Sequence, residues 1–215
     1  MDQFFFLCIG CALLTYSLAH LYRLIANALQ IVDTPNHRSA HQGLVPTGAG
    51  VSFVLVFWAA FFLVSDQEVL TGSSIVVYRL IPALVVVAII GFIDDYHALS
   101  WKFRFTVHVL CCCYIVWVTG LPGLNFLGVH VDLGFVGMAI AVLGLIWLLN
   151  LYNFMDGIDG MTGVQTLSIS LGIGLLGWSG ALSNENTATL AIIGAAAFAF
   201  LFWNWSPSKI FLGDV

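Results

Sequence analysis

Residues 134–160 read GFVGMAIAVLGLIWLLNLYNFMDGIDG, an apolar run that ends in a polar, acidic segment. No charged residue occurs in this stretch before Asp156. A helix needs about 20 apolar residues to cross the hydrocarbon of a bilayer, so the run has the length of a membrane span. The acidic side chains that follow it lie at the mouth of that span, where a carboxylate is costly unless a cation or another partner stabilises it.

The composition of the whole chain is that of an integral membrane protein. Its 215 residues are 60% hydrophobic and 8% charged, whereas a soluble domain carries about 25% charged residues. The apolar runs are long and lack the alternation of barrel strands, so we predict an all-α, polytopic transmembrane helical bundle. The five cysteines lie inside apolar runs and are interpreted as packing residues. No basic run favours nucleic-acid binding.

Seven apolar runs in the sequence approach the length of a membrane span. They cover residues 4–25, 48–64, 75–93, 105–119, 134–151, 161–178 and 188–203. We expect them to form one transmembrane domain over residues 1–215, with the N-terminus outside. Between the fourth and fifth runs, residues 120–134 show strand-like alternation, which predicts a small external hairpin.

Basic residues predict how the bundle is oriented. The loops after the first, third, fifth and seventh runs share one face, and five of the six Lys and Arg residues lie on or beside it. They are Arg23, Arg38, Lys102, Arg104 and Lys209, whereas Arg79 lies toward the opposite face. Cytoplasmic loops carry an excess of Lys and Arg, so this face is predicted to be cytoplasmic. Arg104 is therefore interpreted as a topology determinant with little part in any chemistry.

Six carboxylates on the same face suit a divalent cation. They are Asp33, Asp94, Asp95, Asp156, Asp159 and Asp214. Magnesium prefers oxygen ligands and usually keeps waters and substrate phosphates, so convergent Asp side chains favour a site for a phosphorylated substrate. Two other interpretations stay open. Each Asp can cap a helix at the interface, or the acids can serve an ion or proton transporter, although transporter acids usually lie near the bilayer midplane.

The segment after the fifth run is the densest polar cluster. Asp156 and Asp159 are three residues apart, which places them on one face if the segment is helical. Asn150 and Asn153 precede them, and amide side chains at this point can bind a sugar, a phosphate or the carboxylates themselves. The pattern predicts a polar ligand site at this mouth of the bundle.

The first cytoplasmic loop carries a second polar cluster, formed by Asn36, Arg38 and His41. Arg38 can clamp a phosphate, but a solvated loop with one topology-setting Arg fits equally well. The glycine-rich stretch from Gly48 to Gly50 opens the second run. It can start a helix tightly, or it can let a lipid phosphate approach the backbone.

Four blocks of sequence, in this order, resemble a known enzyme family. They read DTPNHRSAH…PTGAG from Asp33 to Gly50, GFIDDY from Gly91 to Tyr96, NLYNFMDGIDGMTG from Asn150 to Gly163 and PSKIFLGD from Pro207 to Asp214. The chain resembles the polyprenyl-phosphate N-acetylhexosamine-1-phosphate transferases of glycosyltransferase family 4. These membrane enzymes join the sugar 1-phosphate of a UDP-sugar to a lipid phosphate and release UMP, so the resemblance implies that activity on the cytoplasmic face.

The resemblance also implies roles for single residues. Asp94 and Asp95 match the family's catalytic pair near the lipid-phosphate site, where one Asp is proposed as the general base. Asp156, Asp159 and Asp214 match its metal-binding blocks, and the implied cofactor is Mg²⁺ or Mn²⁺. The implied substrate-binding residues are Asn36, Arg38, His41, Asn150, Asn153, Asp156, Asp159 and Lys209. Direct transfer and a covalent Asp–phosphosugar intermediate stay open as alternatives.

By the same resemblance, the donor is a UDP-N-acetylhexosamine and the acceptor is polyprenyl (undecaprenyl) phosphate. The implied location is the bacterial cytoplasmic (inner) membrane, and the implied pathway is a cell-envelope glycan such as O-antigen in lipopolysaccharide biosynthesis; a homodimer is left open. In the family a basic residue usually stands where this chain has Thr47, and Gly and Ser usually follow the Asp that matches Asp214. We therefore expect the N-terminal part of a longer fold, with an inactive, shortened member as the alternative.

Overall fold

The computed structural model describes residues 2–33, 43–65, 72–120, 124–126, 129–180 and 184–214. Within these residues the chain forms seven helices and four short strands. The helices are α1 (Asp2–Leu29), α2 (Gly50–Ser65), α3 (Gly72–Tyr96), α4 (Trp101–Thr119), α5 (Gly134–Asp156), α6 (Met161–Trp178) and α7 (Asn184–Asn204). The strands are β1 (Val32–Asp33), β2 (Val45–Pro46), β3 (Leu124–Phe126) and β4 (Val129–Val131).

All seven predicted apolar runs form helices, which confirms the all-α, polytopic membrane bundle. Five helices among the described residues are long and apolar enough to cross a membrane. They cover Phe5–Leu29, Val77–Tyr96, Trp101–Thr119, Gly134–Asp156 and Thr187–Asn204. The apolar parts of α2 and α6, Gly50–Leu63 and Met161–Gly177, are shorter. The fourth helix begins at Trp101 rather than at 105, because the side chain of Ser100 caps it by accepting the N–H of Phe103.

The strands form two small antiparallel pairs. β3 pairs with β4 in the register Leu124↔Val131, which confirms the hairpin predicted from the alternation in residues 120–134. β1 pairs with β2 in the register Val32↔Pro46. The second pair lies between α1 and α2, so it brings the start of α2 back to the end of α1 and sets the position of the loop that precedes α2.

The helices pack most closely around α7, which contacts α1 on one side and α6 on another. Small residues line these contacts, since Ala19 and Ala26 of α1 and Ala196 and Ala197 of α7 are completely buried. Lipid offers no hydrophobic gain for helix association, so close approach through small side chains supplies the attraction. This packing fixes where α7 ends, and the residues that follow α7 enter the candidate site.

We predict that filling the α6–α7 contact destabilises the bundle. A Cβ added at Gly194 of α7 would lie 3.0 Å from Cβ of Ser170 in α6. Gly194→Leu should therefore lower the melting temperature in detergent, at an overpacking cost of about 1–3 kcal/mol. Gly172→Leu is the matched control, because a Cβ at Gly172 of α6 meets no atom within 4 Å. The melting temperatures are measured by circular dichroism. Equal values for the two variants would contradict this packing.

Candidate functional site

The turn between α3 and α4 is closed by its own acidic side chain. Leu99 donates its backbone N–H to Oδ1 of Asp94 at 2.7 Å. Ser100 then caps α4, and Arg104 follows four residues later. Positions four apart on a helix lie on the same face, so the guanidinium of Arg104 can turn back toward the carboxylate of Asp94. The local sequence thus places a carboxylate and a guanidinium beside each other at one end of the bundle.

Arg104 joins two carboxylates that are far apart in the sequence. Its Nη1 donates to Oδ2 of Asp94 and, at 2.6 Å, to Oδ2 of Asp214. Asn153 donates from Nδ2 to the other oxygen of Asp214, Oδ1. The side chains of Asp94 and Asp214 are 10% and 23% exposed, so both are shielded yet reachable. We call Asp94, Arg104, Asn153 and Asp214 the acid–guanidinium cluster.

The segment after α7, residues 205–214, reaches this cluster by pairing with the loop before α2. Phe211 donates its N–H to the carbonyl of Pro46 at 2.8 Å. In return, the N–H groups of Ala49 and Gly50 donate to the carbonyls of Phe211 and Leu212, at 3.2 and 2.7 Å. These amides at the start of α2 are satisfied inside the protein. The glycine-rich stretch therefore starts a helix, and the amides of Ala49 and Gly50 are not free to bind a lipid phosphate.

Two carboxylates hold the last part of the 205–214 segment through its backbone. Asp156 is buried and accepts the N–H groups of Leu212 and Gly213, at 3.1 and 2.7 Å. Both oxygens of Asp95 accept the N–H of Asp214, each at 3.1 Å. Buried carboxylates are tolerated where hydrogen bonds replace the lost water. In this structure Asp95 and Asp156 therefore position Asp214.

Two glycines allow the segments to come this close. Gly48 and Gly213 both have positive φ, +94° and +83°, a conformation that favours glycine. A Cβ on Gly213 would lie 2.6 Å from the backbone nitrogen of Gly48 and would also meet the carboxylate of Asp95. The close backbone contact between these two loops therefore requires glycine at position 213.

The prediction that Asp156 and Asp159 share a helical face is wrong. α5 ends at Asp156, and a non-helical turn follows it before α6 begins. Asp156 binds the amides of Leu212 and Gly213, whereas Oδ2 of Asp159 accepts the N–H of Ser208 at 3.2 Å. The glycines of the turn end the helix, so the two acids bind different parts of the same 205–214 segment. Metal binding by either acid stays a prediction.

The other predicted site residues lie in three different places. Asn150 lines the cavity described below, although its Nδ2 donates to the carbonyl of Ile146 at 2.8 Å. Lys209 is exposed, and its Nζ lies 5.5 Å from the ring centroid of Trp203, outside the acid–guanidinium cluster. The residues predicted from the first loop, Asn36, Arg38 and His41, lie outside the described residues.

The electrostatics of the site leave a surplus of negative charge. Burial raises the pKa of Asp214 above its ordinary value, and the neighbouring carboxylate of Asp94 raises it further, while the charge of Arg104 lowers it. Among the described residues, no three His, Cys, Asp or Glu side chains are grouped closely enough to hold a metal ion by themselves. Phosphates would have to complete the coordination of any cation bound to these acids, which is the usual arrangement for magnesium.

Two cavities meet at the site and differ in character. The more polar of the two, called the polar cavity below, has a volume of about 340 Å³; it is lined by apolar residues together with Arg104, Asn150, Asn153, Asp156 and Asp214. A second cavity, of about 420 Å³, has a mostly apolar lining that includes Phe53, Phe57, Trp58, Leu84, Ile193 and Phe200. Val87, Tyr152, Thr162 and Leu212 line both. The geometry can therefore accept a polar group beside the acids and an apolar chain next to it.

Sequence reasoning missed two residues of the polar cavity. Arg104 was interpreted as a topology determinant, but the structure places it between two carboxylates. His108, which received no role, lines the same cavity one helical turn further along α4. Spacing offered a signal for both: Ser100, Arg104 and His108 recur every four residues, which places them on the α4 face that begins at the acidic turn.

Comparisons with known proteins point to one family. Residues 76–215 match the family described as Glycosyl transferase family 4. A "Probable undecaprenyl-phosphate N-acetylglucosaminyl 1-phosphate transferase" from Bacillus subtilis is 29% identical over 88% of this chain and 52% of its own length. An "Undecaprenyl-phosphate alpha-N-acetylglucosaminyl 1-phosphate transferase" from Yersinia pestis is 32% identical over 69% of this chain and 40% of its own length.

A third relative is named for the transfer of a different phosphosugar. A "Phospho-N-acetylmuramoyl-pentapeptide-transferase" from Streptococcus equi subsp. zooepidemicus is 28% identical over 79% of this chain and 54% of its own length. The chain thus spans about half the length of the curated relatives it matches first. The apolar helices and the bacterial relatives together indicate a multi-pass bacterial membrane protein.

We predict that Asp156→Ala releases the 205–214 segment. The N–H groups of Leu212 and Gly213 would lose their acceptors, and an unmade buried hydrogen bond costs about 1–3 kcal/mol. Hydrogen–deuterium exchange of these two amides should accelerate by about tenfold or more. Asp132→Ala is the control, since Asp132 accepts the N–H of Gly134 at the opposite end of α5. Unchanged exchange at residues 212 and 213 in the Asp156 variant would show that another group holds the segment.

Proposed function

The chain belongs to glycosyl transferase family 4, and from this membership and its acid-lined cavity we propose that it is a polyprenyl-phosphate N-acetylhexosamine-1-phosphate transferase. In the proposed reaction, a phosphate oxygen of the lipid acceptor attacks the sugar-bound phosphorus of a UDP-N-acetylhexosamine. The bond to the UMP oxygen breaks, UMP leaves, and the lipid carries the sugar through a diphosphate. The convergence of Asp94, Arg104, Asn153 and Asp214 at one cavity carries this proposal.

The two adjoining cavities support a substrate with a polar head and an apolar tail. The polar cavity brings carboxylates, a guanidinium and amide groups to one place, as a diphosphate and a sugar require. The mostly apolar cavity runs along α2 and α3 and shares Leu212 and Tyr152 with the polar one. An isoprenoid chain attached to the acceptor phosphate would fit there without leaving the membrane.

Asp94 suits the proposed general base better than Asp95. Both oxygens of Asp95 accept the backbone N–H of Asp214, so proton uptake there would loosen the 205–214 segment. Asp94 uses only Oδ1 for a backbone amide, and its Oδ2 accepts a hydrogen bond from the side chain of Arg104. A covalent intermediate on Asp94 is the alternative route, and it would use the same oxygen as the nucleophile.

Magnesium, or manganese, is the proposed cofactor. The donors at the site are carboxylate and amide oxygens, which are the ligands that these hard cations prefer. Asp214 and Asp94 would hold the ion, because neither has both oxygens committed to backbone amides. When bound, the cation would neutralise the diphosphate and the charge that develops on the phosphoryl oxygens.

Arg104 is proposed to bind phosphate during the reaction. Its planar guanidinium can donate several hydrogen bonds at once to phosphoryl oxygens. Without substrate it forms ion pairs with Asp94 and Asp214. A substrate phosphate is an anion, as the two carboxylates are, so it can replace them as the partner of the guanidinium. When Arg104 binds the phosphate, the carboxylate oxygens become free to bind a cation.

The proposal also includes the membrane face of the site and the sugar that is transferred. The excess of Lys and Arg on the face that carries the cluster supports a cytoplasmic site, where a UDP-sugar would be available. The relatives named for undecaprenyl-phosphate N-acetylglucosaminyl transfer favour N-acetylglucosamine as the sugar. A role in O-antigen synthesis stays a prediction.

An ion or proton transporter is a weaker candidate. Transporter acids usually lie near the bilayer midplane on broken helices. Here Asp94 and Asp95 lie in the last turn of α3, and Asp156 ends α5. Asp214 follows α7 altogether. Acids that gather at helix ends on one side of the bundle suit a reaction at the membrane surface better than an ion path through it.

The proposed reaction can be tested with the purified protein in liposomes that contain undecaprenyl phosphate. Addition of UDP-N-acetylglucosamine with Mg²⁺ should release UMP and produce one lipid-linked phosphosugar for each UMP. Chelation with EDTA should abolish both products, and Mg²⁺ or Mn²⁺ should restore them, because the acids need a cation to accept a diphosphate. Absence of UMP release with UDP-N-acetylglucosamine and UDP-N-acetylgalactosamine, together with cation uptake into the liposomes, would favour the transporter instead.

We predict that Arg104→Ala lowers the transfer rate by about 100-fold or more, the usual loss when a group that stabilises developing charge is removed. Arg104→Lys should recover part of this loss, because it restores the charge without the planar geometry. Lys102→Ala is the control, since Lys102 lies two residues away on the same helix, is exposed and does not line the polar cavity. Equal transfer rates for the Arg104 and Lys102 alanine variants would show that Arg104 contributes to topology only.

A further inference from the structure

A second group of cations lies outside the acid–guanidinium cluster, around the indole of Trp203. The ring of His20 stacks on Trp203 at a centroid distance of 4.9 Å and an interplanar angle of 19°. Cζ of Arg23 lies 4.8 Å from the centroid of the indole, and Nζ of Lys209 lies 5.5 Å from it. We call His20, Arg23, Trp203 and Lys209 the basic cluster. None of the four lines the polar cavity.

The basic cluster has no acidic partner within the described part of the chain. The ion pairs found there are those of Arg104 with Asp94 and Asp214. Nε of Arg23 and Nδ1 of His20 are buried and have no hydrogen-bond partner among the described residues. Cation–π contacts attract each cation to the indole but leave its charge uncompensated. Two permanent cations on one ring therefore create a local positive potential that an anion would neutralise.

The cluster lies beside the end of α7 and extends from the buried indole of Trp203 to the exposed side chain of Lys209. Arg23 precedes the end of α1 at Leu29 by six residues, about 9 Å along the helix, and Lys209 follows the end of α7. Beside them, Tyr16 and Phe202 are 42% and 60% exposed and contact each other edge to face. Phe202 lies two residues before the end of α7, and exposed aromatic rings at a helix end are typical of the membrane interface. We therefore expect the exposed edge of the cluster, at Lys209, to face the lipid headgroups.

We propose that the basic cluster is a binding site for the phosphate headgroup of an anionic bilayer lipid, with phosphatidylglycerol as the representative of that class. Arg23 supplies a planar donor for the phosphate oxygens, and Lys209 supplies an exposed point charge from the 205–214 segment. Tyr16 and Phe202 contact the upper acyl chains. The site is separate from the proposed transfer reaction and does not depend on it.

This proposal gives Lys209 a different partner from the one implied by the family resemblance. Its backbone N–H donates to the carbonyl of Trp203 at 2.8 Å, which holds the start of the 205–214 segment against α7 and directs the side chain over the indole. The chain then continues to Asp214 in the acid–guanidinium cluster. A lipid bound at Lys209 would thus contact the outer end of the segment whose inner end enters the candidate active site.

Native mass spectrometry of the detergent-solubilised protein tests the site. Titration with phosphatidylglycerol and with phosphatidylcholine should show a clear preference for the first phosphatidylglycerol bound. Arg23→Gln and Lys209→Gln should each weaken that first binding by about fivefold, the usual effect of one basic residue at an anionic membrane surface, and the double variant should lose the preference. Lys102→Gln is the matched control, because Lys102 lies 5.8 Å over the ring of Trp101 as a single exposed cation.

Three outcomes would overturn the proposal. The double variant could keep the wild-type preference for phosphatidylglycerol, or Lys102→Gln could lose as much of it as Lys209→Gln does. Glycerol 3-phosphate could displace the lipid at equal concentration, which would identify a site for soluble phosphate instead. If the double variant fails to fold, Lys209→Gln alone decides, since Lys209 is exposed and its removal leaves the packing of Trp203 against Tyr16 and His20 in place.

Discussion

Hydrogen bonds from three successive backbone amides to two carboxylates hold the site together. Asp156 accepts the N–H groups of Leu212 and Gly213, and Asp95 accepts that of Asp214. A backbone amide has a fixed direction, so these bonds orient the segment as well as retain it. The side chain of Asp214 is thereby directed to Arg104. These bonds add to the backbone pairing of Phe211 and Leu212 with the loop before α2, which brings the segment to this end of the bundle.

The same bonds explain how so many acids can gather at one membrane mouth. Hydrocarbon and burial both penalise a carboxylate that lacks partners. Asp95 and Asp156 meet this cost with backbone amides, whereas Asp94 and Asp214 share the single guanidinium of Arg104. The first pair is therefore engaged by backbone amides in this structure, and the second is only partly neutralised. An acid whose partner can leave is one that can bind a cation, and this difference separates the proposed ligands from the acids that support them.

Much of the fold could be predicted from the sequence, because apolar length alone identifies helices in a membrane. The hairpin at 124–131 also followed from its alternation. The acidic and Asn-rich blocks correctly indicated which segments meet, but the role of each acid was not readable. Whether Asp156 binds a metal or an amide depends on the path of the 205–214 segment, which backbone contacts with Pro46, Ala49 and Gly50 determine. Helical spacing likewise failed because Gly157 ends α5 directly after Asp156, before the chain reaches Asp159.

The count of basic residues predicts their membrane face, which stays a prediction, and it was misleading about the use of Arg104. Arg104 points inward, where Asp94 and Asp214 neutralise it, whereas Arg23 and Lys209 keep their full charge over Trp203. These environments favour different anions. A guanidinium already paired with carboxylates binds a phosphate only by exchange, which suits a substrate that must arrive and leave. Cations on an indole have no competing acid among the described residues, so an anion bound there completes the charge balance and stays. A cation buried beside acids thus favours the exchange of a bound anion, and a cation without acidic neighbours favours its retention.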